Sequence, residues 1–309
     1  MCSRCWKPSR AAKRSSPAIK RLLFIAFLPA LVLPAQNASS LDEYLDALAR
    51  TAATFADTAP GLTAQETLDQ RGRRGFVKTL RGKKDQIRKL DITLPQEFSI
   101  HHVISSYALA EVGEGRVLHE IRTIVTMDGK SLATADEARR TLTTGLRSAD
   151  DRTKRKLLED LEHNQLEGAA TDFGQLILLF AKRLQKDYDF SLDGEQHLGD
   201  EPVFVLGYRQ ISGAQGLAVF KERTEDRQSA TGQIWLRQKD FLPIRIIMNT
   251  EEPLSKKFIV RTEATVDYMP SPFGLVPQSV IHKQSLNSSL MVENDFHYAD
   301  FNHENVRIP

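Results

Sequence analysis

The sequence predicts an α+β fold, a curved antiparallel β-sheet covered by helices. Three observations carry it: strict polar/apolar alternation through the last third, one amphipathic helix near the start, and a strongly apolar stretch before the strands. In Phe258, Val260, Thr262, Ala264, Val266, Tyr268 every second residue is apolar or small, while Arg261, Glu263 and Asp267 alternate with them. A period of two puts the sets on opposite faces. The same parity recurs at Val276 and Val280 and again at Leu290, Val292, Phe296 and Tyr298. Four antiparallel strands are therefore expected between Thr231 and His303, with one greasy face and one wet face.

Taken in order, the first 21 residues hold Arg4, Lys7, Arg10, Lys13, Arg14, Lys20 and Arg21 and no acid. An apolar run from Leu22 to Leu33 follows, and then small residues to Ala38. Basic, apolar, small is the order of a secretory signal peptide, and the run is too short to span a bilayer as a helix. Residues 1–38 are expected to be a cleaved signal, cut after Ala35 or Ala38. Without those seven bases the formal net charge of +2 becomes −5, which removes the main support for nucleic-acid binding. Cys2 and Cys5 both lie in this segment. The exported part is then expected to have no disulfide, no thiolate metal site and no cysteine nucleophile.

Residues 39–309 are expected to form one exported domain. Leu41, Tyr44, Leu45, Leu48, Ala52 and Phe55 recur at helical spacing between Ser40 and the Pro60-Gly61 stop. Gly61 to Gln70 reads as a link, and Gly75 to Leu94 as short strand-like pieces. Phe98 to Ala110 and Val117 to Met127 read as a hairpin around Gly113-Glu114-Gly115. Thr134 to Gln165 is highly charged with sparse leucines, which implies two exposed helices broken near Ser148. Thr171 to Lys186, with Phe173, Leu176, Ile177, Leu178, Leu179, Phe180 and Leu184, predicts a helix buried against the sheet. Residues 134–187 thus form a helical insert before a β-meander over 189–303, where strands are expected at Glu201 to Gln210 and Leu217 to Glu222.

Chemistry is sparsely signalled. There is no His-Glu-x-x-His, no Gly-x-Ser-x-Gly and no phosphate-binding glycine loop, so neither a metal, a cofactor nor an enzymatic activity is predicted. His101 and His102 are adjacent and should face opposite ways. His282 shares the apolar parity and His297 the charged one.

The order Gly232-Gln-Ile-Trp-Leu236, Phe241-Leu-Pro-Ile-Arg245, Val266-Asp-Tyr268, Phe273-Gly-Leu-Val-Pro277 and Phe296-His-Tyr-Ala-Asp-Phe301 resembles the outer-membrane lipoprotein-sorting family, over roughly 189–301. The resemblance implies a LolA/LolB-like half-barrel, a bacterial periplasmic or secreted location, and a cavity that shelters an acyl chain or other apolar ligand. On that scaffold the predicted liners are Trp235, Ile246, Phe258, Val260, Val266, Tyr268, Val280, Val292 and Phe296. The lid is Phe173, Leu176, Ile177, Phe180 and Leu184. Trp235, between Ile234 and Leu236, is expected at an edge or pocket mouth. The rival expectation is an envelope assembly module with a packed interior and a protein partner bound by the charged helices.

Overall fold

The computed structural model describes residues 40–73, 94–113, 117–148, 150–164, 166, 172–211, 217–221, 224–254, 256 and 258–304. The expected signal segment lies outside them, as does the strand-like stretch expected over 75–94 except for Leu94.

Helix α1 (Leu41–Thr58) starts where Ser40 offers its hydroxyl to the Glu43 N–H, with Asp42 and Glu43 in the first turn. It buries Tyr44, Ala47, Leu48, Ala52 and Phe55 along one stripe. Strand β1 (Leu62–Gly72) follows directly, so the stretch from Gly61 to Gln70, expected as a link, belongs to the sheet instead. The hairpin β2 (Ser99–Val112) and β3 (Val117–Met127) forms as expected, and β4 (Lys130–Ser131) is a short return.

Two helices flank Ser148, α2 (Ala135–Arg147) and α3 (Asp151–Leu158), with α4 (Asp160–His163) after them. The α2 start is fixed by a reciprocal capping box. The Thr134 hydroxyl accepts from the Glu137 N–H, and the Glu137 carboxylate accepts from the Thr134 N–H. These helices are less exposed than their charge implies. Leu142, Leu146, Leu157 and Leu158 pack on Ala108, Ala110, Val112 and Ile121 of β2 and β3, so at that end the sheet is covered on both faces.

The strands then run β5 (Tyr188–Leu198), β6 (Glu201–Gln210), the small hairpin β7 (Leu217–Lys221) and β8 (Thr224–Gln228), β9 (Thr231–Arg237), β10 (Pro243–Pro253), β11 (Ile259–Ser271), β12 (Gly274–Leu286) and β13 (Ser289–His303). The terminal meander has five strands rather than four, because a turn over 238–240, just ahead of the Phe241-Leu-Pro motif, separates β9 from β10. Gly274, at φ 100°, closes the turn between β11 and β12, where the Phe-Gly sequence supplies the left-handed position that other residues resist. β5 opens on alternation, Tyr188, Phe190 and Leu192 against Asp189, Ser191 and Asp193, and turns wholly polar only from Gly194 to His197.

One 11-stranded sheet runs β4-β3-β2-β1-β13-β12-β11-β10-β9-β6-β5, with antiparallel neighbours throughout, and β7-β8 stand apart. Strand β1 is the hinge of this topology: it pairs with β2 on one side and with the last strand, β13, on the other. The α+β class and the curved, helix-covered antiparallel sheet are as expected. Gly232 is required by close approach, since a Cβ there would collide with the Ile247 carbonyl oxygen. Across that gap the Tyr208 hydroxyl donates to the same oxygen at 2.9 Å. Gly232→Ala is therefore expected to pry β9 from β10 and to cost about 3 kcal/mol or more, at the high end for single substitutions. Urea denaturation would read it; an unchanged midpoint would count against that contact.

Candidate functional site

The inner face of the sheet is where α1 and the chain from Asp172 to Lys186 lie. That chain is not the expected helix. It makes two 3₁₀ turns, Leu176–Phe180 and Gln185–Asp187. Leu176, Ile177, Leu179 and Phe180 are all buried, on more sides than the single stripe of an amphipathic α-helix, and the segment packs against α1 as well as the sheet. A tighter, longer-rise turn lets it thread between them.

Beneath it the structure gathers Ile246, Val266, Tyr268, Val280 and Phe296 of the predicted liners with Phe173, Leu176, Ile177 and Phe180 of the predicted lid, in one continuous core. Leu184 sits half-buried at the far end. Val260 and Phe258 belong instead to a separate small cluster with Leu286 and Met291. Val292 is buried and faces inward beside Gln284. Trp235 is on the opposite face, between Val205 and Arg245, whose guanidinium lies 4.9 Å from its ring. Its neighbours Ile234 and Leu236 are fully buried on the inner side, as parity requires.

The inner face also carries polar groups that sequence reading missed. Glu66 on β1 and Arg122 on β3 form a fork of two bonds, 2.9 and 3.0 Å, both side chains wholly buried. Arg122 also reaches Glu120 at 3.2 Å. The Glu120 carboxylate accepts the N–H groups of Asp172 and Gly174, each at 2.8 Å. In return Asp172 accepts the Glu120 N–H at 2.7 Å and holds His119 at 2.7 Å. Asp172 sits at φ 72°, a conformation most residues avoid, and a Cβ on Gly174 would meet the Glu120 carboxylate at 2.6 Å. The start of the covering segment is thus knotted into the sheet by charge. A signal for these residues existed: Glu66 stands in the apolar parity of Leu62, Ala64 and Leu68, and Glu120 and Arg122 stand in that of Leu118 and Ile124.

Burial pushes the Glu120 carboxyl up to about 7, against the pull of Arg122 and with the push of Asp172 and Glu66. A carboxyl raised in the fold contributes stability that is fully present below its unfolded value near 4.5 and is lost as pH rises through about 7. Chemical denaturation at steps from pH 4.5 to 8 should show that decline, and Glu120→Gln should flatten it. A slope that survives the substitution would assign the titration elsewhere.

A second polar row crosses the face: Gln70 donates to Asn294 at 2.7 Å, and Asn294 meets His282 at 2.9 Å. The His282 ring stacks on Phe173 of the covering segment at 4.9 Å. His101 and His102 do part, each to its own aspartate, Asp128 and Asp69. On the outer face a hollow of about 480 Å³ is lined by Asp189, Ser191, Asp193, Arg209, Gln233 and Asn249, and it pairs Asp189 with Arg209 and Asp193 with both Ser191 and Gln233.

Fold and site together define a class: an α+β protein built on one wide antiparallel sheet, its apolar inner face roofed by one helix and an irregular strap. Among the solved structures similar to this chain are the following three. A DUF1329 family protein from Desulfovibrio piger shares 9% identity at a TM-score of 0.38, covering 87% of this chain and 94% of its own. A domain described as a putative outer membrane lipoprotein-sorting protein, from Vibrio parahaemolyticus, shares 9% at 0.33, with 84% and 94% covered. A LolA superfamily protein from Nitrosomonas europaea shares 12% at 0.27, with 82% and 94% covered. The last two carry the description that the sequence resemblance suggested, and no residue role passes across at such distances. No protein-family model matches the sequence, and no curated protein matches it. Among the described residues no helix is long and apolar enough to cross a membrane.

Proposed function

We propose that residues 39–309 form an exported, non-enzymatic carrier of the bacterial envelope that shelters an acyl chain or other apolar ligand between sheet and cover. The observation that carries this reading is the unequal fastening of the strap over Asp172 to Lys186. Its first residues are tied by buried charge-assisted bonds to Glu120. Its later part is held by Ile177 N–H donating to the Tyr268 hydroxyl at 3.2 Å, by Gln185 donating to the Leu45 carbonyl at 2.6 Å, and by the exposed pair Lys182–Asp46 at 2.6 Å. An exposed ion pair contributes roughly 0–1 kcal/mol, so this end is the cheap one to lift. A strap hinged at Asp172–Gly174 and lightly latched at Lys182 uncovers Ile246, Val266, Val280 and Phe296 when it swings, and an apolar guest replaces the contacts that its side chains give up.

Native mass spectrometry of the exported protein, with solvent extraction, is the test. Co-purifying lipid or saturable uptake of a fluorescent fatty acid supports the carrier. Reproducibly empty protein that ignores such probes counts against it.

The rival reading, an envelope assembly module, is favoured by one observation: Phe173, Leu176, Ile177 and Phe180 already fill the space over the inner face. On it the partner would meet the outward charges of α2 and α3. Crosslinks lost on removing those charges, from protein that binds no lipid, would support the module instead.

A further inference from the structure

Among the buried donors that have no hydrogen-bond partner in the described residues, two stand together on the inner face. The Arg122 guanidinium spends Nε and Nη2 on Glu66 and Glu120, which leaves Nη1, and the Ser105 hydroxyl is likewise unmatched. Arg122 is 0% exposed and Ser105 1%. They stand close on neighbouring strands of one face: Tyr107 opposes Arg122 in the β2–β3 ladder, and Ser105 opposes Ile124, two residues along. The Arg122 guanidinium also lies 6.0 Å from the Phe296 ring, at the border of the apolar surface beneath the strap. A buried donor left unmade costs about 1–3 kcal/mol, so a fold that keeps two together has a use for them.

We propose that Arg122 Nη1 and Ser105 Oγ form a carbonyl-reading subsite at the edge of the apolar chamber, and that the ligand is therefore an uncharged acyl ester or amide rather than a free fatty acid. The inference rests on the carrier reading and adds the ligand's polar end. The charge of the surroundings decides between the two chemistries. One guanidinium already faces the carboxylates Glu66 and Glu120, and Asp172 stands behind them with His119 on it. A further carboxylate would enter a site with more negative than positive groups, and in a medium this poorly screened like charges repel strongly. A neutral carbonyl oxygen accepts both hydrogen bonds without that repulsion.

The test uses the purified exported protein and three probes of matched length, methyl laurate, lauric acid and tridecane, competing at pH 8 against a bound fluorescent apolar dye. Methyl laurate is expected to displace the dye about tenfold better than tridecane, equivalent to about 1.4 kcal/mol, and better than laurate. Ser105→Ala should shrink the ester's advantage and leave tridecane unchanged. Equal displacement by ester and alkane, preference for laurate, or an ester advantage that survives Ser105→Ala would each overturn the subsite while leaving the carrier standing. Failure of all three probes would remove the carrier reading, and the subsite with it.

Discussion

Arg122→Met is expected to lower the free energy of unfolding by about 3–5 kcal/mol, the loss typical of breaking a buried ion pair from one side. The cost lies in what remains. Glu66 and Glu120 would both stay in the interior, Glu66 with its two-bond partner gone and Glu120 with its bond to the guanidinium removed. Methionine fills much of the volume of the arginine stem, so the loss reads the charge rather than a cavity. Urea denaturation followed by tryptophan fluorescence measures it. The double variant Glu66→Gln with Arg122→Met removes one orphaned charge and should recover a substantial part. A single-variant loss under about 1 kcal/mol would place the cluster in the range of solvated ion pairs and would refute its role as the knot that holds the strap's root.

Bridging the strap's free end to α1 is expected to reduce ligand uptake by about tenfold or more, because apparent affinity falls with the fraction of molecules able to open. Asp46 and Lys182 suit this purpose, since both are exposed and their side chains meet at 2.6 Å. With Cys2 and Cys5 changed to serine, Asp46→Cys and Lys182→Cys would be joined by a short bis-methanethiosulfonate, which spans a gap wider than a direct disulfide tolerates. The unbridged double variant should take up a fluorescent fatty acid as the parent does. Uptake should fall on bridging and return on reduction. Full uptake by the bridged protein would show that the ligand enters elsewhere, and the hinged-strap mechanism would be abandoned.

Much of the sheet was legible because strand signals are local. Val260 through Tyr268 and Val292 through Tyr298 announce their faces two residues at a time, and the fold keeps them; at Leu290 a register irregularity breaks the parity, and Met291 is buried in its stead. The Phe98 to Met127 hairpin was legible for the same reason. Strand β1 was not: Gln65, Asp69 and Arg71 make it look solvated, and Glu66 and Gln70 occupy positions that an apolar parity search would reject. Both of those polar side chains are buried, satisfied by Arg122 and Asn294 from strands that lie 56 and 224 residues away in sequence. No window along the chain contains those partners. The strap failed as a helix for a related reason. Its apolar content shows that it is buried, but whether it coils or threads depends on having α1 on one side and the sheet on the other.

Local pattern was enough to settle which residues face inward along most of the alternating strands, where α1 and α2 begin, and that the stretch around Leu176 must leave water. These follow from backbone periodicity, capping chemistry and the hydrophobic effect, all of which act within a few residues or on one side chain. Long-range assembly was needed for β1 to join the first hairpin to the last strand, for Ile246, Val266, Tyr268, Val280 and Phe296 to share one packed core while the other predicted liners do not, and for Glu66, Glu120, Arg122 and Asp172 to meet. Strand pairing and buried charge are matters of partner choice. Their energies depend on groups far apart in the chain, which acquire a distance from one another only once the sheet has closed.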